Sequence, residues 1–83
     1  MKIRIDERTY KGTGEEIMEQ LRLATFDPTE YPDTESYIWQ LRSNFIRATD
    51  LDCELPQGSV ERQAQAMIAQ LAKAGALEVL EDG

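Results

Sequence analysis

Gly58-Ser59-Val60-Glu61-Arg62-Gln63-Ala64-Gln65-Ala66-Met67-Ile68-Ala69-Gln70-Leu71-Ala72-Lys73-Ala74-Gly75-Ala76-Leu77-Glu78-Val79-Leu80 decides how the rest of the chain is arranged. Val60, Ala64, Met67, Ile68 and Leu71 recur at the spacing of one helix face. Ser59 stands where a side-chain oxygen accepts from the free amides of a first turn. Lys73 falls in the last turn, where a cation suits the negative end of the helix dipole. Gly75 fits the left-handed position that closes helices. Leu77 and Val79 then alternate as in a strand, over about Ala76 to Leu80. The segment therefore reads helix, stop, strand, and the other elements must cover its apolar side.

Upstream, Met1–Gly12 reads as a β-hairpin. Ile3 and Ile5 alternate with Lys2, Arg4 and Asp6, and Thr9, Tyr10 and Lys11 return. A two-residue turn at Asp6-Glu7 puts Ile5 opposite Arg8 and Ile3 opposite Tyr10. With positive φ expected at both turn residues, Glu7→Gly is expected to stabilise. Thr13-Gly14-Glu15-Glu16 is a capping box. Ile17, Met18, Leu21 and Ala24 line the face of the helix it opens. That helix is expected to stop near Thr25, because Pro28 pushes Asp27 out of helical geometry. Residues 26–33 form a loop in which Phe26 and Tyr31 read as a lid on the core.

Asp33 or Thr34 caps a second helix running to about Thr49. Tyr37, Ile38, Leu41, Phe45 and Ala48 cluster on one side of it, with Trp39 and Ile46 beside them. The apolar arc spans about half the circumference, wider than the ~100° stripe of an ordinary surface helix. Arg42 falls inside the arc. Such a helix is either packed on two sides or leaves part of its arc for a partner. Trp and Arg together are common anchors of interfaces. Leu51, Cys53 and Leu55 then alternate with Asp52 and Glu54, a short extended stretch with one buried face. Pro56-Gln57-Gly58 turns the chain into the last helix.

The order is ββαααβ. The fold class is α+β: an N-terminal hairpin and a C-terminal strand make a three-stranded sheet, with three helices packed on one face. Residues 1–83 are expected to form one small globular domain. The direction of the last strand is left open by the sequence.

The 83 residues hold nine basic and sixteen acidic side chains, for a net charge of −7. Residues 1–12 carry +2 and residues 13–83 carry −9. This balance disfavours phosphate backbones and anionic lipid. Cys53 is the only cysteine, so no internal disulfide forms, which fits a reducing compartment. No apolar run is long enough to span a bilayer. The chain opens on Met1 without the apolar stretch of a secretory signal. A complete reading frame and a cytoplasmic location are expected.

Catalytic equipment is sparse. Histidine, the commonest general base and transition-metal ligand, does not occur. Cys53 has no histidine partner and sits on the side of its segment expected to be buried. Ser36, Ser43 and Ser59 read as cap or surface residues, outside any nucleophile motif. Asp50, Asp52 and Glu54 alternate as donors of a calcium loop do, and Glu61 stands at the twelfth position. Leu55, however, replaces the glycine such a loop needs. No metal, no cofactor and no catalytic residue are expected. Gly12-Thr13-Gly14 before a helix is reminiscent of an anion site, but Glu15 and Glu16 would repel phosphate there.

Ala66–Val79 resembles the last helix and first wing strand of a winged-helix domain. The likeness covers about a fifth of the chain, and the hairpin preceding all three helices departs from that order. The outer face of the helix offers Arg62 and Lys73 among Gln65, Ala66 and Ala69, too little positive charge to read DNA. The opening, a hairpin followed by a capped helix, resembles that of many small bacterial and phage reading frames.

The first functional expectation is thus a non-enzymatic protein-interaction or regulatory module. Its surface would be Trp39, Arg42 and Ile46, with Tyr37 and Tyr31, and its partner another protein or a second copy in a homodimer. The alternative is a nucleic-acid-related protein in one of two forms. One makes a weak RNA or DNA contact through a basic hairpin face of Lys2, Arg4, Arg8 and Lys11. The other is an acidic mimic of nucleic acid. Neither a membrane nor a nucleic acid is the expected partner.

Overall fold

A computed structural model describes residues 1–25 and 30–81. The element order is β1 (Lys2–Ile5), β2 (Arg8–Lys11), α1 (Gly14–Leu23), α2 (Thr34–Thr49), α3 (Val60–Lys73) and β3 (Glu78–Glu81). All six stand in the ββαααβ order expected. The sheet has strand order β2-β1-β3, and both pairings are antiparallel. This settles the direction of the last strand.

Hairpin register follows the alternation: Ile3 pairs with Tyr10 and Ile5 with Arg8. The turn differs in one respect. Asp6 has φ 56°, whereas Glu7 is not among the residues with positive φ. Positive φ at the first central residue alone is the pattern of a type II′ turn, which also matches strand twist. The left-handed requirement therefore falls on Asp6, and the gain expected from glycine moves from position 7 to position 6.

Local chemistry sets the helix limits. The Thr13 hydroxyl accepts from the Glu16 amide at 3.1 Å, and the Glu16 carboxylate accepts from the Thr13 amide at 2.9 Å, which completes the capping box. Asp33 caps α2 and Ser59 caps α3, each accepting from the amide three residues on. At the end of α3, the Ala76 amide reaches the Leu71 carbonyl and the Gly75 amide the Ala72 carbonyl. With Gly75 at φ 81°, this is a complete Schellman closure. It aims β3 back at β1. Because β3 pairs with the first strand, the winged-helix likeness stops at the helix.

Ile3, Ile17, Met18, Ile38, Phe45, Cys53, Ala64, Met67, Ile68 and Leu77 are buried together. Ile5, Tyr10, Leu21, Leu41, Leu71 and Val79 pack around them, half-buried. The helices cover the sheet face that carries Ile3. The opposite face, with Arg4 and Glu78, stays exposed. Phe26 lies outside the described residues. Tyr31 does pack, edge-on against Tyr37 with ring centroids 5.3 Å apart.

Two features depart from the sequence reading. The alternating stretch at residues 51–55 buries only part of its apolar face. Cys53 is buried and Leu55 half-buried, but Leu51 is 55% exposed. The cause is Asp50, which ends α2 in the left-handed region at φ 57° and turns the chain back along the helix. The second feature joins α1 to α3. Gly14 is buried, and the Glu61 carboxylate accepts from the Gly14 amide at 2.9 Å and the Glu15 amide at 2.8 Å. A carboxylate from the third helix thus fills the positive end of the first.

Candidate functional site

Arg42 organises the surface that the apolar arc of α2 singles out. Its Nε donates to the Cys53 carbonyl at 2.6 Å. Its guanidinium carbon lies 5.4 Å from the centre of the Trp39 ring. That distance is within cation–π range. One side chain therefore ties the returning segment to α2 and props the indole. This accounts for the breadth of the arc. Ile38 and Phe45 enter the core, while the flank bearing Arg42 is covered by the segment around Cys53. Ile46 and Tyr37 are half-buried against the core.

Trp39 is one of the large apolar side chains that packing leaves exposed, with Leu23, Leu51 and Leu80. It is 40% exposed and is the only tryptophan. Glu35, one turn earlier on α2, is exposed, as are Asp52 and Glu54 on either side of Cys53. Of the five residues the sequence singled out, the structure brings Trp39 and Arg42 together and pairs Tyr31 with Tyr37. It gives Ile46 a packing role.

Near the C-terminal ends of α2 and α3 lies a cleft of about 370 Å³, lined by Phe45, Leu51, Asp52, Gln70, Lys73 and Ala74. The sequence reading missed it because Leu51 was expected inside. The available signal was Asp50, a residue type that tolerates the left-handed region and so can break an alternating pattern.

The four basic residues of the hairpin do not share one face. Lys2, Arg4 and Lys11 project from the exposed side, but Arg8 pairs with Ile5 and so lies on the opposite side of the ribbon. Arg4 is bound to Glu78 at 2.5 Å, and Lys2 stands opposite Glu81. The acidic third strand thus answers much of the hairpin's charge.

Titratable groups elsewhere have structural tasks. Burial pushes the Cys53 thiol up, against a smaller opposite pull from Arg42. A protonated, buried thiol 4.0 Å from the Met67 sulfur is a packing group. Burial likewise raises Tyr37, with Tyr31 and Tyr10 adding to it. Among the described residues, no three His, Cys, Asp or Glu side chains gather as a metal site would require. Glu61, the twelfth residue of the imperfect calcium spacing, is turned to α1 instead. Among the described residues no helix is long and apolar enough to cross a membrane.

No family model matches the chain, and no curated protein or solved structure shows significant similarity to it.

Proposed function

We propose that this chain is a non-enzymatic protein-interaction module whose working surface is centred on Trp39. The observation that carries this reading is the Trp39–Arg42 pair. A large aromatic side chain stands 40% exposed beside an arginine that also donates to the Cys53 carbonyl. Rigid aromatic anchors lose little freedom on binding and dominate interface energetics. Ile46 and Tyr37 are half-buried against the core. The hairpin-contact form of the nucleic-acid reading has less support, because Arg4 is already engaged by Glu78.

The test is iodide quenching of Trp39 fluorescence in dilute protein, together with thermal melting of Trp39→Ala. The anchor role predicts an indole open to quencher. It also predicts a variant that melts within about 4 °C of the parent, since surface substitutions usually stay within about 0.5 kcal/mol. A shielded indole, or a melting point lowered by more than about 10 °C, would make Trp39 a core residue and end this reading.

A further inference from the structure

Beyond the interaction surface and independently of it, we infer that the cleft near the ends of α2 and α3 binds a small zwitterion, a free α-amino acid with an apolar side chain. Trp39 is not among the residues lining that cleft. Its volume of about 370 Å³ stands at the low end for ligand pockets, which run from about 300 to 1,000 Å³. That size favours an amino acid over a peptide or a nucleotide. Phe45 and Leu51 supply an apolar wall, and Leu51 is 55% exposed.

Asp52 and Lys73 are the two charged residues in the lining. Among the described residues neither side chain has a salt bridge or a hydrogen bond, with the other or with any other group. A carboxylate and an ammonium that line one cleft unpaired complement the ammonium and the carboxylate of an α-amino acid. The helix ends add a preference. Both α2 and α3 finish near the cleft, and helix C-termini attract cations and repel anions. A ligand that is only an anion is thus disfavoured, while an ammonium is held by Asp52 and by the dipoles together. Lys73 receives the carboxylate. A divalent cation is the poorer occupant, because the lining offers it one carboxylate.

The experiment titrates isotope-labelled protein with leucine and follows the backbone amide resonances of Leu51, Gln70 and Ala74. Leucine is expected to shift them saturably, with a dissociation constant of about 1 mM or below. N-acetyl-leucine keeps only the carboxylate, isopentylamine keeps only the ammonium, and glycine lacks the apolar part. Each is expected to bind at least roughly fivefold more weakly. Lys73→Gln is expected to weaken leucine about tenfold and leave isopentylamine unchanged. Asp52→Asn is expected to weaken leucine about tenfold and leave N-acetyl-leucine unchanged. Both residues are exposed, so both variants are expected to melt close to the parent. No saturable shift, shifts confined to residues outside the cleft, equal binding of any of the three analogues, or indifference of leucine to either substitution would overturn the inference. Trp39→Ala is expected to bind leucine as the parent does, which keeps this test separate from that of the Trp39 surface.

Discussion

Asp6 carries the clearest correction at the level of single residues. An L-residue at φ 56° crowds its own Cβ, a cost glycine does not have. Asp6→Gly is therefore expected to raise stability by about 0.5–1 kcal/mol, or roughly 2–8 °C in melting temperature. Glu7→Gly, at a residue that gains nothing from positive φ, is expected to lower it. Opposite signs for the two variants in one calorimetric series would establish the turn. Gly14 has the reverse constraint. A Cβ there would lie 2.9 Å from Glu61 Oε2 and 3.2 Å from the Gln65 backbone nitrogen. The carboxylate can shift, but the backbone of α3 cannot, so Gly14→Ala is expected to cost about 1–3 kcal/mol in chemical denaturation. These residues also show what a sequence discloses. Thr13 and Glu16 advertise their bond because they are three residues apart. Gly14 and Glu61 are separated by 47 residues and match no local pattern.

Among the elements, α1, α2 and α3 were legible because cap, apolar stripe and stop agree within each. The returning segment was not, because its course depends on a contact between Arg42 and a backbone carbonyl eleven residues on. Arg42→Ala is expected to leave that carbonyl without its donor and cost about 1–2 kcal/mol. It should also change Trp39 emission. Arg42→Lys keeps the charge but has no planar guanidinium donor, and is expected to rescue neither effect fully. The contact between α1 and α3 has its own signature in acid. Burial acts to raise Glu61, but hydrogen bonds from Glu15, Gln65, Gly14 and Thr13 outweigh it and hold the carboxyl low. Glu19 is held low chiefly by Arg22, and further by Thr34. A carboxyl lowered on folding adds stability above its unfolded pKa, about 4.3 for glutamate, and loses that stability as pH falls through its folded value. Stability should thus decline below about pH 4.3, and Glu61→Gln should flatten that decline in urea titrations run from pH 7 to pH 3.

For the molecule as a whole, a radius of gyration of 11.8 Å and near-equal extents of 27, 27 and 26 Å describe a body with a thin core. A chain this short buries only about 60–65% of its unfolded surface. Electrostatics therefore weighs on its stability. Added salt screens both the repulsion within a −7 surface and the attraction of exposed pairs such as Arg4 with Glu78. Exposed pairs contribute little, so screening of the repulsion should win. The melting temperature is expected to rise between low and moderate sodium chloride, and a fall would show that the paired charges dominate. The ββαααβ plan was legible because each strand and helix carries its own period. The partner of β3 was not, because the hairpin offers two free edges, one on β1 and one on β2.

The pairing of Lys2 with Glu81 has a mechanical consequence. The outermost residues of β1 and β3 lie side by side at the same end of an antiparallel pair. Tension applied across residues 2 and 81 loads the bonds between the strands one after another, as when a strip is peeled, and never all at once as in shear. The sheet opens first at its centre strand, at low force, while the helices still hold one another through Glu61. A pull applied to the two sides of this seam would open it before the helices part.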